Sequence, residues 1–413
     1  MKIDCLIAEI GSTTTVVNAF NGVDTDHPTF VGQGFAPTTV LFGDVTVGLN
    51  QAIECLKKSL QVDSLEIKET LACSSAAGGL KMSVHGLVHD MTVKAAKEAA
   101  LGAGANLHFV TAGTLTPFDL EKIRSLNLNI ILLAGGVDYG ETKTALENAE
   151  KIASLQLSIP VIYAGNIQNR DAVKAFFKAH GQEQFLTIYP NVYKRIDCLD
   201  VVETRKIIQS VFETHITQAP GMEHVRNLIS GHIIPVPGAV MEATQLAYKA
   251  YGDCMTLDIG GATTDVHSVT EGSEEITRKL VAPEPFAKRT VEGDLGLFVN
   301  KDSLIEAIGV DALVKELTID NDRLNELLKS YEPIPSERQL PLTEAMAYHA
   351  LRISVQRHCG RLINVYGTTG MTKLAEGKDL TAIKVVIGTG GALTRLPHRE
   401  TMINRYLSVK EDM

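Results

Sequence analysis

The sequence predicts an α/β protein of two domains. Three observations carry this. The chain has 413 residues, more than a single hydrophobic core usually serves. Short apolar runs of strand character alternate with helical patterning along its whole length. A strand, a glycine-containing turn and a second strand occur together twice, once at the start and once past the middle.

In order, IDCLIAEI (3–10) reads as a buried strand, GSTTT as a turn, and Val16–Phe20 as a second strand. That is a hairpin, not the strand-to-helix step of a dinucleotide fold. Gln51–Leu60 and Thr92–Leu101 have helical patterning. Ile130–Leu133 is an apolar strand running into Gly135-Gly136, followed by a helix from Thr142 to Leu155 and a strand at Pro160–Ala164. A helix is expected at Asp200–Thr214. Pro220–Gly238, with several glycines and prolines, reads as the inter-domain region. Cys254–Ile259, GGATT and Asp265–Val269 then repeat the hairpin, the two matching in G-x-T-T. Leu304–Leu328 and Glu344–Cys359 read as helices, and Lys384–Ile387 as a last strand ending in GTGG. The expected domains are 1–225 and 226–413.

The composition is 45% hydrophobic, with a formal charge of −10 and a pI near 5.7. An acidic balance argues against nucleic acid as a partner. Six cysteines form no C-x-x-C pair, and no His/Cys spacing suggests zinc. Cys5 and Cys254, in apolar runs, read as buried structural thiols. The N-terminal apolar run is too short for a signal peptide, and no run has membrane-spanning length. A cytoplasmic protein is the expectation.

Four runs carry chemistry. In Glu9-Ile10-Gly11-Ser12-Thr13-Thr14-Thr15, glycine lets backbone approach a phosphate, and the following amides and hydroxyls donate to its oxygens. Glu9 at the strand end suits a hydrated Mg²⁺. The same residues also suit a plain polar hairpin turn. Asp258-Ile259-Gly260-Gly261-Ala262-Thr263-Thr264-Asp265 has the same logic with two glycines, and is far more specific. Facing each other across a cleft, the two loops would grip the β- and γ-phosphates of one nucleotide. In Val386–Ala392, Gly388, Gly390 and Gly391 after a strand leave a flat surface for a purine or ribose, although many strand–turn–helix junctions carry such a run. In Leu133–Gly140, Gly135 and Gly136 suit a hinge or close packing, and Asp138 is the candidate to orient an attacking water; a strand-end turn with a solvated aspartate fits equally. Ser74-Ser75 beside Gly78-Gly79 lacks the G-x-S-x-G elbow, and no Walker A sequence occurs.

The order of these loops resembles the acetate kinase/sugar kinase/Hsp70/actin superfamily. Runs such as SSAAGGLKMSVHGL (74–87), APTTVLFGDVTVGL (36–49), ILLAGGVDYG (131–140), YAGN (163–166), DIGGATTDVHSV (258–269), RTVEGDLG (289–296) and VIGTGGAL (386–393) resemble the glutamate mutase accessory family, GlmL/MutL. The resemblance implies two actin-like ATPase (ribonuclease H-like) domains with a nucleotide cleft between them. It implies a slow ATPase acting as a reactivating chaperone, releasing damaged cobalamin from an adenosylcobalamin-dependent mutase or aminomutase. Gly11 to Thr14 would then be the first phosphate loop, Asp258, Gly260, Gly261, Thr263 and Thr264 the second, and Glu9 with Asp258 the Mg²⁺ side. Two departures stand out: the superfamily places aspartate where Glu9 stands, and the chain stops about twenty residues after GTGGAL, so either the chain is trimmed or the closing helix is reduced. A small-molecule kinase and an actin-like filament are the rival readings.

Overall fold

The computed structural model describes residues 1–40, 43–76, 81–103, 105–195, 204, 206–208, 210–211, 222–367 and 370–408. It is a mixed α/β protein with several sheets. The chain forms two compact units, Met1–Ala76 with Ala219–Met413, and Ala77–Gln218. The first 225 residues are therefore not one body: the second unit is inserted into the first.

The first unit opens with β1 (Lys2–Ile10), β2 (Thr14–Asn21) and β3 (Thr29–Pro37), an antiparallel meander. Helix α1 (Val45–Leu60) follows, capped by Asp44, whose carboxylate accepts from the Thr46 amide at 2.8 Å. Its buried stripe of Val45, Leu49, Ala52 and Leu56 lies on β3, where Gly34 lets the backbones close up. Strand β4 (Glu66–Ser74) pairs parallel with β1.

The inserted unit is a parallel sheet. Its strands are β5 (Lys81–Gly86), β6 (Asn106–Ala112), β7 (Ile130–Leu133), β8 (Val161–Tyr163) and β9 (Leu186–Ile188), in the order β6-β5-β7-β8-β9. Helices α2 (Lys94–Gly102), α3 (Pro117–Ser125), α4 (Lys143–Ser154) and α5 (Arg170–Ala179) make the crossovers. β7 is buried at all four residues, as a central parallel strand requires. Ile131 and Leu133 pack with Ala149 and Ile152 of α4 and with Val173 and Phe177 of α5. α2 begins two residues later than the helical pattern suggests, because a single π turn, His89–Val93, precedes it.

The chain returns through α6 (Met222–Leu228) to β10 (Ile233–Pro235), which adds to the first sheet beside β4. Pro220–Gly238 is thus no simple linker: its described part holds a helix, a strand and the first turn of α7 (Val236–Tyr251), with proline in that turn. Most of the helix expected at 200–214, Cys198 and Gly78-Gly79 lie outside the described residues.

A second sheet follows: β11 (Cys254–Ile259) and β12 (Thr264–Val269), the one-turn α8 (Glu274–Thr277), then β13 (Ala287–Glu292). The expected helix at 304–328 is three, α9 (Lys301–Ile308), α10 (Val310–Leu317) and α11 (Asn321–Lys329). Gly309 at φ 91° and Thr318 at φ 55° break the path. Next come α12 (Leu340–His358), the hairpin β14 (Arg361–Gly367) and β15 (Gly370–Glu376), β16 (Val385–Thr389), α13 (Gly390–Arg395) and α14 (Arg399–Ser408). The second sheet runs β13-β12-β11-β16, and the first β10-β4-β1-β2-β3. Each has three antiparallel strands and then a parallel one beside the first strand of the meander. Leu257, Ile259 and Val266 pack on Leu342, Met346 and Leu351 of α12, with Met402 of α14 in the same core. Cys5 and Cys254 are buried free thiols. Among the described residues, no helix is long and apolar enough to cross a membrane.

Candidate functional site

Both glycine turns have one construction. Ile10 pairs with Thr15 and Ile259 with Thr264, leaving four residues in each turn. The Gly11 amide donates to the Thr14 carbonyl at 3.0 Å, and the Gly260 amide to the Thr263 carbonyl at 3.0 Å. A Cβ on Gly11 would lie 2.6 Å from the Thr14 oxygen, so only glycine fits. This register matches Gly11 to Gly260, Thr14 to Thr263 and Glu9 to Asp258. The G-x-T-T match read from sequence is one residue out of step with it.

Each turn is held by its carbonyls. The Thr38 amide donates to the Thr13 carbonyl at 2.9 Å, and the Thr38 hydroxyl donates to that of Gly11 at 2.8 Å. The Leu297 amide donates to Gly260 at 3.1 Å, and those of Phe298 and Val299 to Gly261 at 2.8 Å each. Asn300 Nδ2 donates to the Ala262 carbonyl at 2.9 Å. The amides are left over. Among the described residues, those of Ser12, Thr13, Gly261, Ala262 and Thr263 have no acceptor. Turns with satisfied carbonyls and open N–H groups present positive potential and fit an anion.

The turns meet. An ideal Cβ on Gly261 would lie 2.4 Å from Thr13 Oγ1 and 2.6 Å from its Cγ2. β16 runs parallel beside β11, with Asp258 opposite Thr389. Gly390, at φ 77°, gives its side-chain space to Asp258, whose Oδ1 would be 2.4 Å from a Cβ there. Gly391 faces open space, whereas Gly388 lies inside the strand against Leu393 and Ile403. Of the three glycines assigned to a purine or ribose, Gly391 alone is open.

The acids gather at the strand ends. Burial, then Asp265 and Glu9, push the Asp258 carboxyl up to about 8, with Arg289 pulling the other way. Burial likewise raises Glu9, opposed by Arg395. Neither the Glu9 nor the Asp258 carboxylate has a hydrogen-bond partner among the described residues. Two partly buried carboxyl groups in each other's field are the electrostatic setting a divalent cation relieves, so both fit Mg²⁺. No group of three or more His, Cys, Asp or Glu able to hold a metal occurs among the described residues.

Two assignments change. Thr264 is fully buried and its hydroxyl donates to the Leu295 carbonyl at 2.8 Å, so it has no proton for a phosphate. Asp138, Gly135 and Gly136 lie in the inserted unit. There Asp138 Oδ1 accepts from the Ile167 amide at 2.9 Å and from Asn191 Nδ2 at 3.0 Å. Gly135 and Gly136 admit Ala145 and Glu141 at contact distance. The run is a tightly tied strand-end turn. Sequence reasoning missed Thr38, Arg289, Asn300 and Arg395. The first two lie in runs that carry the family resemblance, but nothing local states what they touch. Arg395 stacks over Phe35 at 4.6 Å, and its Nε is buried with no partner among the described residues.

A family model described as MutL protein matches residues 5–413. The chain belongs to the MutL protein family. Protein MutL of Clostridium tetanomorphum is 38% identical to this MutL-family chain over 402 residues, covering 94% of the chain and 86% of that relative. Among solved structures, nucleotide-free diol dehydratase-reactivating factor is 12% identical with a TM-score of 0.33, covering 98% of this chain and 94% of that one. Nucleotide-free acetone carboxylase is 12% identical with a TM-score of 0.31, covering 70% of this chain and 48% of that one, so the chain spans about half of it. At these TM-scores neither likeness carries an argument.

Proposed function

We propose that the first unit is a duplicated actin-like ATPase core and that this MutL-family protein uses it to reactivate an adenosylcobalamin-dependent mutase. The observation that carries the nucleotide reading is the pair of matched turns, tip to tip, with their amides unclaimed. The repeated strand order of the two sheets supports the actin-like reading.

In this reading the amides of Ser12 and Thr13 on one side, and of Gly261 to Thr263 on the other, bind the phosphates of one ATP. Gly391 leaves room for the nucleoside. Glu9 and Asp258 would hold Mg²⁺, which neutralises phosphate charge when bound. Because one ligand contacts both turns, it favours the state in which they are joined; once the γ-phosphate is lost, part of that preference goes. The reading gives Asp138 no part, since its Oδ1 is committed within the inserted unit. Hydrolysis acts as a slow switch, and the change is passed to the mutase, which then releases damaged cobalamin. The mutase step rests on the family resemblance. Glutamate mutase and aminomutases such as ornithine aminomutase are the partners to try.

The test incubates inactivated holo-mutases with the protein, ATP, Mg²⁺ and free adenosylcobalamin. Recovery with one mutase identifies the partner. No recovery with any of them, despite measured ATP binding, overturns reactivation while leaving the nucleotide site intact.

A further inference from the structure

We infer that Thr263 faces a cation as an oxygen ligand and does not donate to phosphate, and that Arg289 sets this polarity through Asp265; the inference rests on the nucleotide reading above. Thr263 Oγ1 lies 2.9 Å from Asp265 Oδ2. The other oxygen, Oδ1, accepts from Arg289 Nε at 2.9 Å and Nη2 at 2.5 Å. Both members of this ion pair are buried, Asp265 at 3% exposure and Arg289 at 1%. A carboxylate paired with arginine only accepts, so the proton between Thr263 and Asp265 is the threonine's. A hydroxyl has one proton. Spent on Asp265, it leaves the open side of Thr263 with lone pairs alone. That side suits Mg²⁺ or a water bound to it, and repels a phosphate oxygen.

The first turn shows the opposite arrangement. Thr14 is the counterpart of Thr263, and Val16 stands where Asp265 stands. Among the described residues the Thr14 hydroxyl has no acceptor, so its proton is free for phosphate. Asp258, directly across the strand pair from Asp265, adds a carboxyl group on the side of Thr263, one that ionises when a cation binds. The amides of both turns face phosphate, and only the hydroxyls divide the work: that of Thr14 donates to phosphate, while that of Thr263 offers its lone pairs to the cation. Arg289 is a positioning residue, since it reaches Thr263 through Asp265.

The test uses the full chain and two measurements: ADP affinity with EDTA present, and affinity of the ADP-bound protein for Mn²⁺ by electron paramagnetic resonance. Thr263→Val is expected to weaken Mn²⁺ about tenfold and leave metal-free ADP binding within about twofold, with Thr263→Ser close to wild type. Thr14→Val is expected to do the reverse. Arg289→Lys, which keeps the charge but not the paired grip, should show the Thr263→Val split at smaller size. If Thr263→Val folds poorly, Thr263→Ala serves. Equal loss of both affinities in the Thr263 variants, or loss of neither, overturns the assignment. Wild-type protein that binds ADP in neither condition overturns the nucleotide reading itself, and this assignment falls with it.

Discussion

Replacing Asp258 with asparagine removes a carboxyl that the fold holds mostly protonated. Its value rises from 3.8 to about 8, chiefly through burial and then through Asp265 and Glu9. A carboxyl raised in the folded state keeps a proton that the unfolded chain releases. Stability therefore falls as pH climbs from about 3.8 to about 8 and levels off above it, by at most about 1.4 kcal/mol per pH unit. Between pH 5 and 8 the ceiling is about 4 kcal/mol, and partial exposure and water entry reduce it to roughly 2–3 kcal/mol. Asparagine does not titrate. Asp258→Asn should match wild type near pH 4.5 and exceed it increasingly toward pH 8, by roughly 4–8 °C in melting temperature. Thermal unfolding at half-unit pH steps, without nucleotide or metal, measures this. A difference independent of pH, or a variant less stable than wild type at pH 8, refutes the account of Asp258. The same variant should lose Mg²⁺-dependent nucleotide binding, because the amide cannot balance the cation's charge.

Gly261→Val should weaken ATP binding at least about tenfold, read by calorimetry, because its Cβ would meet Thr13 at 2.4 Å; adding Thr13→Ala should restore part of it. Thr38→Val removes the hydroxyl that donates to Gly11 and meets Thr15 at 2.9 Å, and should cost roughly 2 kcal/mol in denaturant unfolding. Gly34→Ala drives a Cβ to within 2.1 Å of the Ala52 carbonyl, and should lower stability by roughly 3 kcal/mol or prevent soluble expression. Asn166 accepts from the Tyr139 and Gln168 amides and donates to the Gly140 and Glu141 carbonyls, so Asn166→Ala should speed hydrogen exchange across 136–141 and leave the Gly11 and Gly260 turns unchanged.

The sequence by itself determined the hairpins and the donor groups that their turns offer. β1 and β11 are apolar runs ended by Glu9 and Asp258, and the glycine-threonine turns announce themselves because few other residues make that path. β7 was legible from four consecutive apolar residues, and α4 from its buried stripe of Ala145, Ala149 and Ile152. β4 was not, since its outward residues Glu66, Lys68 and Glu69 hide a strand whose pairing with β1 lies some sixty residues away in sequence. Nor was the insertion: β10 has three residues, and joins β4 across the whole second unit. Only tertiary structure decided the true register of the turns, the meeting of Thr13 with Gly261, and the clamps from Thr38 and Leu297–Asn300. It also decided which hydroxyls remain free. Thr263 and Thr264 look alike in sequence, yet one points its proton at Asp265 and the other buries it against Leu295. A motif fixes which groups are available at a turn, while the direction of each hydrogen bond depends on partners that the chain brings from far away.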